Sequence, residues 1–432
     1  MRIMHIALGG CLAAPPIRYG LTEDTGGHLA YILGAARAQA AREDVQEVTL
    51  LTRAFDEPRL GPEFARAEEV LGPGLRILRL STSERRYLEK DALERALPEL
   101  QRAFLDRLRQ MGARRPTILH AHFADAAQLA AAAHAEFGIP WIYSCHSLGA
   151  EKLRPGERPS PQLARRIARE RQALEGAHAV IASSRDEAER QIPSLLPAAE
   201  GRTHRIGPGV SLHPGGDAAR ARRRLAPFLR DPDRPVILAV ARPIPKKNLV
   251  ALVEAYAALP ALRARANLVI LAGLRDGLCG GGRAQDGVIA GLFDAVDRHD
   301  LWGRVALPRR HDARDLADLY ALAAEDGAFC NPALHEPFGL TLVEAAQSGV
   351  PLVATRCGGP ADIVARIGAG ELVDPDSVAS IAAGLQRSFA DPARLQKARA
   401  AALAARHAYD WTAWAAQVAA LARRLAPTRT AP

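Results

Sequence analysis

The chain has 432 residues, a length that fits two domains, and it is 48% hydrophobic and 24% charged, which excludes a disordered or fibrous protein. Its 57 basic residues exceed its 48 acidic residues, so the formal net charge is +9, which suits nucleic acid, an anionic surface or phosphorylated small molecules as partners. Aromatic residues make up only 5% of the chain and interrupt no basic run, which argues against nucleic acid.

The first half of the chain alternates short apolar runs with alanine-rich stretches. The runs at 2–8, 48–52, 117–120, 141–144 and 179–182 predict strands, and the stretches at 27–41, 93–111, 124–137 and 163–174 predict helices. This alternation indicates a parallel sheet that is covered by helices on both faces. We therefore expect an N-terminal domain at residues 1–210.

The alternation breaks between residues 207 and 235, where Gly, Pro and Arg are frequent. We interpret residues 211–234 as an interdomain linker that contains a short basic helix. On that helix we expect a solvated surface formed by Arg220, Arg222, Arg223 and Arg224.

The same alternation resumes in the second half and predicts a second doubly wound domain at residues 235–408. Its predicted strands are at 235–240, 267–272, 305–307, 327–330 and 351–354, and its predicted helices are at 248–258, 313–324, 339–348 and 377–389. The predicted fold class is therefore α/β, with two Rossmann-like domains that face each other across a cleft. Ligands of such sheets bind beyond the carboxyl ends of the strands.

The most informative stretch lies between the strand at 327–330 and the helix at 339–348. The residues at the start of this helix are Phe338, Gly339, Leu340 and Thr341. Backbone N–H groups and the helix dipole make such a position an anion site, which suits a diphosphate. One turn into the helix, the carboxylate of Glu344 can bind a pair of ribose hydroxyls. In the preceding loop, Glu336 can accept hydrogen bonds from a sugar.

A loop of cations follows the strand at 235–240. It contains Arg242, Lys246 and Lys247, and cations fixed beside a departing diphosphate stabilise its developing charge. The alternative, lysines that merely sit on the first turn of a helix, is unattractive because cations there oppose the helix dipole.

Three further groups lie in the N-terminal half. The glycines Gly26 and Gly27, followed by His28, enter the first helix and either let the backbone approach a ligand closely or form an ordinary tight turn. Histidines follow two neighbouring strands, where they can bond sugar hydroxyls or pack structurally; they are His120, His122 and His146. A basic group can grip an acceptor phosphate or form an exposed helix face; it comprises Lys152, Arg165, Arg166 and Arg169.

Two Asp-Pro-Asp triplets, at 231–233 and 374–376, stand in polar turns. We interpret both as turn and capping residues rather than metal ligands. The five cysteines include no C-x-x-C pair, the apolar stretch before Cys11 is too short for a signal-peptide core, and no run of about 18 apolar residues is present. The sequence therefore predicts a cytoplasmic protein with no transmembrane segment.

Taken together, these stretches resemble the sucrose-phosphate synthase and sucrose synthase group of family 4 glycosyltransferases. The matching segments are 24–27, 122–125, 146–149 with Lys152, 165–185, 242–248 and 331–344. The resemblance implies a GT-B fold, a retaining transfer from a nucleotide diphosphate sugar, no cofactor and no requirement for Mg²⁺ or another metal. It also implies that the C-terminal helix, at about 409–426, packs back on the N-terminal domain.

The resemblance also assigns roles to individual residues. The implied catalytic residues are His146, Arg242, Lys247 and Glu336. The implied donor-binding residues are Gly26, Gly27, Arg242, Lys247, Glu336, Phe338, Gly339, Leu340, Thr341 and Glu344. The implied acceptor-binding residues are His28, His122, Asp125, Lys152 and Arg166. Members of the group usually carry Gln where this chain has His28, so the identity of the acceptor stays open.

The leading hypothesis is transfer of a hexosyl group, glucosyl first, to a sugar phosphate such as fructose 6-phosphate. Within the same class, GDP-mannose or ADP-glucose are alternative donors, and a non-phosphorylated sugar or a glycan precursor is an alternative acceptor. A nucleotide-sugar sensor without turnover is the alternative of a different class, and the presence of the full implied catalytic set argues against it.

Overall fold

The computed structural model of the chain describes residues 1–153, 157–212, 214–275, 277–280 and 282–426. Its strands are β1 (Arg2–Ile6), β2 (Glu47–Arg53), β3 (Glu68–Gly72), β4 (Leu75–Leu80), β5 (Ile118–His122), β6 (Trp141–Ser144), β7 (Ala179–Ala182), β8 (Thr203–Arg205), β9 (Val236–Val240), β10 (Asn267–Leu271), β11 (Val305–Ala306), β12 (Ala328–Asn331), β13 (Leu352–Thr355) and β14 (Glu371–Val373).

Its α-helices are α1 (Gly27–Ala40), α2 (Lys90–Leu93), α3 (Leu97–Met111), α4 (Phe123–Phe137), α5 (Pro161–Gly176), α6 (Ile192–Leu195), α7 (Ala218–Leu225), α8 (Leu249–Ala257), α9 (Pro260–Arg265), α10 (Arg283–Arg298), α11 (Ala313–Asp326), α12 (Leu340–Gln347), α13 (Gly359–Ile367), α14 (Val378–Ala390), α15 (Arg394–Ala408) and α16 (Trp411–Leu425). Within the described ranges, none of these helices has both the length and the apolar character that crossing a bilayer requires.

The chain forms two compact units. The N-terminal unit comprises Met1–Ile17, Asp24–Gly209 and Trp411–Pro432, and the C-terminal unit comprises Arg18–Glu23 and Val210–Asp410. The segment at 211–234, which the sequence indicates as a linker, is therefore folded into the C-terminal unit. The short segment Arg18–Glu23 also packs with that unit although it lies near the start of the chain.

The N-terminal unit contains an eight-stranded sheet in the order β3-β4-β2-β1-β5-β6-β7-β8. All neighbouring strands are parallel except β3, which pairs antiparallel with β4 at the edge of the sheet. One face packs against α3 and α4 through residues such as Leu100 and Leu129. The other face packs against α1 and α16 through residues such as Ile32 and Trp414.

The close packing of α16 on α1 depends on a glycine. A Cβ atom added at Gly34 would lie 2.4 Å from a ring carbon of Trp411, well inside van der Waals contact. The absence of a side chain at Gly34 therefore lets the indole of Trp411 rest directly on the backbone of α1.

The C-terminal unit contains a six-stranded parallel sheet in the order β11-β10-β9-β12-β13-β14. Apolar residues of α7, α11, α12 and α15 cover one face, and those of α8, α10 and α14 cover the other. Both sheets have long crossover helices, as parallel strands require. The alternation in the sequence thus correctly predicted two doubly wound α/β units.

The expectation of a solvated basic surface on α7 is wrong for three of its four arginines. Arg220 pairs with the buried carboxylate of Asp318, and Arg222 pairs with Glu325. The guanidinium of Arg224 lies 3.0 Å from an oxygen of Asp315. Only Arg223 of the four is well exposed, with 70% of its side chain accessible. The acids belong to α11, a pairing that composition alone does not reveal.

Candidate active site

In the C-terminal unit, two loops meet at the carboxyl ends of β9 and β12. These strands are neighbours and parallel, so their carboxyl ends lie at the same edge of the sheet. The backbone N–H of Leu334 donates to the carbonyl of Lys246 (2.9 Å). The amide of Asn248, which has a left-handed φ of 56°, donates to the carbonyls of Pro332 (3.1 Å) and Pro375 (2.8 Å). The loop after β9 is thereby tied to the loops that follow β12 and β14.

These contacts bring Lys247 and Glu336 together. The ammonium of Lys247 lies 2.5 Å from Oε2 of Glu336, and the two side chains are only 14% and 12% exposed. Burial alone would raise the pKa of Glu336, but the charge and hydrogen bond of Lys247, together with smaller contributions from Lys246 and Asn331, lower that pKa below its usual value. The amide of Asn331 approaches the same carboxylate oxygen at 3.4 Å. The arrangement is a partly buried, ionised pair.

The backbone of Glu336 is fixed by the turn after β13. Its N–H donates to the carbonyl of Cys357 (3.2 Å), and its carbonyl accepts from the N–H of Gly359 (2.9 Å). A Cβ atom at Gly358 would lie 2.2 Å from the carbonyl oxygen of Glu336, and Gly358 has a φ of 93°. Glycine is therefore required at this crossing.

The start of α12 lies where the sequence predicts it. Gly339 is its N-cap residue, with a φ of 105°, and the helix begins at Leu340. The ring of Phe338 is buried against Tyr409, with ring centroids 5.7 Å apart. The first amides of α12 therefore follow a rigidly packed turn.

Two tyrosines that the sequence did not indicate lie near Glu344. The hydroxyl of Tyr320 shares its one proton between Oε2 of Glu344 (3.2 Å) and the carbonyl of Thr341 (3.0 Å). Burial raises the pKa of Glu344 to about 7, although the hydrogen bond from Tyr320 acts in the opposite direction.

Tyr19, from the segment Arg18–Glu23, lies near enough that the charge of Glu344 adds to burial in raising the pKa of Tyr19. In the same segment, the carbonyl of Glu23 accepts a hydrogen bond from Arg242.

In the N-terminal unit, four histidines cluster at neighbouring strands. His5 in β1 pairs in register with His120 in β5, and His122 pairs with Ser144 at the end of β6. His146 follows β6 in a left-handed conformation, with a φ of 57°. The Nδ1 atom of His122 lies 2.7 Å from Nε2 of His146. The cluster therefore links the core of the sheet to the loop that contains His146.

A cavity of about 220 Å³ lies in the same unit, between α4 and α5. Its lining includes three of the expected acceptor residues, Asp125, Lys152 and Arg166. Arg166 donates to Glu170 (2.6 Å) and to the carbonyl of Ser147 (2.9 Å). Glu170 in turn accepts from the backbone N–H of Gly149 (2.6 Å). Arg166 therefore both faces the cavity and holds the loop after β6.

Comparisons with known proteins identify the family. Residues 26–209 match the family described as glycosyl transferase 4-like domain, and residues 222–406 match the family described as glycosyl transferases group 1. The chain belongs to the family 4 glycosyltransferases. Its two doubly wound units are those of the GT-B fold class, as the sequence predicts.

Several relatives of this glycosyltransferase are sucrose-phosphate synthases. It is 31% identical to a probable sucrose-phosphate synthase of Vicia faba, over 95% of this chain and 46% of the relative, and 32% identical to one of Oryza sativa, over 95% and 50%. The chain thus spans about half the length of these relatives. Among solved structures it resembles the sucrose-phosphate synthase of Thermosynechococcus elongatus, with a TM-score of 0.82 and 27% identity over 98% of both chains.

The fold similarity extends to more distant structures. The catalytic domain of starch synthase IV from Arabidopsis thaliana, bound to ADP and acarbose, matches with a TM-score of 0.72 over 98% of this chain and 99% of that one. At 17% identity, this match supports the fold of the glycosyltransferase alone.

The structure also places the remaining expected residues of the glycosyltransferase. His122 is 1% exposed and does not line the cavity that contains Lys152. The ring of His28 packs edge-on against Phe123, with centroids 5.2 Å apart. Gly26 is the N-cap residue of α1, and Gly27 is its first residue. The expected residues of the N-terminal unit thus divide between a histidine cluster, the start of α1 and one cavity.

Both Asp-Pro-Asp triplets of the glycosyltransferase close turns, as the sequence indicates. The first carboxylate of each triplet accepts a hydrogen bond from the backbone N–H two residues later, Asp231 from Asp233 (3.3 Å) and Asp374 from Asp376 (3.2 Å). Each first carboxylate also pairs with an arginine, Asp231 with Arg234 and Asp374 with Arg356.

Sequence reasoning missed several residues that shape these sites, including His5, Gln39, Tyr320 and Glu170. His5 offered a signal, because a histidine inside an otherwise apolar strand requires a buried partner. Gln39 and Glu170 lie on long helices that carry both polar and apolar residues, and the spacing of residues there does not reveal which polar residue is buried.

Proposed function

We propose that this chain is a retaining glycosyltransferase that moves a hexosyl group, glucosyl first, from a nucleotide diphosphate sugar to a sugar phosphate such as fructose 6-phosphate. The observation that carries the proposal is the Lys247–Glu336 ion pair at the carboxyl ends of β9 and β12. A partly buried cation beside a carboxylate suits a ligand that carries both a diphosphate and a polyhydroxylated sugar.

In the proposed reaction, the bond between the anomeric carbon and the diphosphate oxygen breaks, and that oxygen keeps the electron pair. The oxygen of an acceptor hydroxyl forms the new bond to the anomeric carbon with retention of configuration, and its proton passes to the departing diphosphate. Lys247 and Arg242 stabilise the charge that develops on the diphosphate, so the reaction requires no Mg²⁺ and no other cofactor. The donor sugar is assigned to Glu336 and His146, and the ribose to Glu344.

The amides at the start of α12 complete the diphosphate site in this proposal. They belong to Gly339, Leu340 and Thr341, and they stand at the positive end of the helix dipole. Gly26 and Gly27 are assigned to close backbone contact with the donor.

The acceptor is assigned to the cavity of the N-terminal unit. Lys152 and Arg166 supply positive charge at its lining, which suits a phosphate group, and Asp125 supplies an acceptor for a sugar hydroxyl. His28 is assigned to acceptor selection, and His122 to support of His146. We place the reaction in the cytoplasm, where phosphorylated sugars and nucleotide sugars are available.

The proposal is tested by nucleoside diphosphate release from a panel of UDP-, ADP- and GDP-sugars, with and without fructose 6-phosphate. Release that depends on fructose 6-phosphate supports the proposal and identifies the donor. If one donor is slowly hydrolysed and fructose 6-phosphate does not change the rate, the assignment of the donor site stands. The acceptor must then be sought among other sugars, beginning with variants at His28. Binding of a donor without any release would instead identify a nucleotide-sugar sensor and contradict the proposal.

A further inference from the structure

Four polar side chains, three of them buried, form a continuous line of hydrogen bonds in the N-terminal unit. Oε1 of Gln39 lies 2.6 Å from Nε2 of His5, Nδ1 of His5 lies 2.9 Å from Nε2 of His122, and Nδ1 of His122 lies 2.7 Å from Nε2 of His146. We refer to Gln39, His5, His122 and His146 as the histidine chain. Gln39, His5 and His122 are at most 1% exposed.

The fold explains why these residues meet. Side chains alternate between the faces of a strand, so His5, His120 and His122 lie on the face that α1 and α16 cover. Gln39 reaches this face from the last turn of α1. The histidine chain then runs across neighbouring strands, from β1 through β5 to the loop after β6.

The line of bonds has a single direction. A neutral imidazole has one N–H donor and one lone-pair acceptor, and both ring nitrogens of His5 and of His122 are engaged within the chain. The carbonyl oxygen of Gln39 can only accept, so Nε2–H of His5 donates to it. Nδ1 of His5 must then accept from Nε2–H of His122, and Nδ1 of His122 must accept from Nε2–H of His146. The orientation of one amide thus determines the tautomer of three histidines.

The surroundings keep His5 and His122 neutral and hold the rings in place. Burial lowers the pKa of His5 to about 4 and lowers the pKa of His122 well below its usual value. The ring of Tyr31 packs edge-on against His146, with centroids 4.8 Å apart, and the rings of His5 and His122 lie edge to edge, within 8° of parallel. Rotation of an imidazole that would exchange its two nitrogens is therefore opposed by packing on α1.

We propose that Gln39 and His5, acting through His122, are positioning residues that hold His146 as its Nε2–H tautomer, so that Nδ1 of His146 accepts a hydrogen bond from a hydroxyl of the donor sugar. This role rests on the proposed function, which assigns His146 to the donor sugar. The tautomer of His146 in the ligand-free protein is independent of the proposed function. In histidines generally, the hydrogen bond that one ring nitrogen makes determines which of the two nitrogens carries the proton.

A metal site is the competing explanation for this cluster. Ring nitrogens of His5, His120 and His122 lie within 4.8 Å of one another, and Nδ1 of His120 is buried without a hydrogen-bond partner in the described part of the chain. However, the 2.9 Å separation between His5 and His122 is that of a hydrogen bond. Two nitrogens bound tetrahedrally to zinc at about 2.0–2.1 Å would stand farther apart and would carry no shared proton.

The test uses the whole chain labelled with ¹⁵N-histidine and records long-range proton–nitrogen spectra, which distinguish protonated from unprotonated ring nitrogens. His146→Asn serves only to assign the signals of His146. In the wild-type protein we expect Nε2 of His146 to be the protonated nitrogen. Gln39→Leu and His5→Gln remove the fixed end of the chain, so His146 should show a mixture of both tautomers. Gln39→Glu should restore the wild-type signature, because a carboxylate accepts from His5 as the amide oxygen does.

The matched control is His120→Gln. His120 is the register partner of His5, is equally buried and stacks on His122 at 4.3 Å, but it bonds to Ser144 outside the histidine chain. The His146 signature should survive His120→Gln and be lost in His5→Gln. An Nδ1–H tautomer in the wild type, an unchanged signature in His5→Gln, or one equivalent of zinc in the purified protein would each overturn the proposal.

Steady-state kinetics with the active donor give a second readout. Gln39→Leu should lower kcat about tenfold, the effect of one misdirected hydrogen bond, while the affinity for the nucleoside diphosphate product stays unchanged. Gln39→Glu should recover most of that loss. If no donor supports transfer, the proposed function fails while the spectra still decide the histidine chain. A changed tautomer of His146 with an unchanged kcat would show that the histidine chain does not affect the donor sugar, and it would overturn the positioning role.

Discussion

Lys247 and Glu336 stabilise each other, because a partly buried charge of either sign requires a counter-charge. Lys247→Ala should therefore both remove the cation that we assign to the leaving diphosphate and leave Glu336 without its main partner. We expect kcat to fall by about 10²–10³-fold, the usual effect of losing one preorganised charge-stabilising group. Lys397→Ala is the matched control, since this lysine is 62% exposed and pairs with a surface aspartate, Asp391. A normal kcat in Lys247→Ala would remove Lys247 from the mechanism.

Glu344 should make donor binding depend on pH near neutrality. Its pKa of about 7 means that the free protein carries this carboxyl partly protonated at pH 7, whereas a carboxylate is the form that accepts two ribose hydroxyls. Donor affinity should therefore weaken as pH falls below about 7, by up to tenfold per pH unit, and level off above it. Calorimetry with the active nucleotide sugar tests this, because its diphosphate diester does not titrate in this range.

The matched variant for this pH dependence is Glu344→Gln, which keeps the size of the side chain but cannot ionise. The slope of affinity against pH below 7 should disappear in the variant. An identical slope in both proteins would assign the titration to another group.

Lys152 tests whether the acceptor is phosphorylated. It lines the cavity with Arg166, and its compact ammonium charge suits an added phosphate. Lys152→Ala should raise KM for fructose 6-phosphate about tenfold or more and leave KM for the donor unchanged. Fructose is the internal control, because any transfer to it should be insensitive to the substitution. An unchanged KM for fructose 6-phosphate would indicate an unphosphorylated acceptor.

At the scale of helices and strands, the contact between α1 and α16 depends on Gly34. Gly34→Ala would force the indole of Trp411 away from α1 and should lower the free energy of unfolding by about 1–3 kcal/mol, despite the better helix propensity of alanine. Gly287→Ala in α10 is the matched control, since a Cβ atom there meets no atom within 4 Å. That substitution should be neutral or stabilising by up to about 1 kcal/mol. Equal effects of the two substitutions in thermal unfolding would contradict the packing argument.

The periodicity of the sequence predicts most of these elements, because fully buried parallel strands form continuous apolar runs between longer helices. It does not predict the strands β3, β4, β8 and β14 or, among the longer helices, α10, α13 and α15. In β4, Arg76 and Arg79 interrupt the apolar run, and only the structure shows that Arg79 is neutralised by Glu69 across the hairpin (2.6 Å). The status of residues 211–234 was equally hidden, since α7 joins the C-terminal unit through apolar contacts and through acid partners on α11 that leave no local pattern in the sequence.

The candidate sites are predictable to the extent that they follow strands. The loops with Arg242, Lys247 and Glu336 come directly after β9 and β12, so their meeting follows from adjacent parallel strands. The supporting residues come from elsewhere in the chain. Tyr320 belongs to α11, Tyr19 to a segment near the N-terminus and Gln39 to α1, and none of these partnerships leaves a local pattern in the sequence.

At the scale of the whole molecule, the chain consists of two compact units with separate hydrophobic cores. The residues assigned to the diphosphate lie in the C-terminal unit, and the cavity assigned to the acceptor lies in the N-terminal unit. Much of the positive charge on α7 is neutralised by acids, so this helix offers less positive charge to a partner than its sequence suggests.

The most direct test of the central claim is proton NMR of the reaction between the active nucleotide sugar and fructose 6-phosphate, with EDTA present. The anomeric proton of the α-linked donor should disappear as an α-linked disaccharide phosphate appears at the same rate, and only when fructose 6-phosphate is present. A β-linked product would contradict retention, and loss of transfer in EDTA that Mg²⁺ restores would contradict metal independence. No disaccharide phosphate with any donor would contradict the proposed function itself.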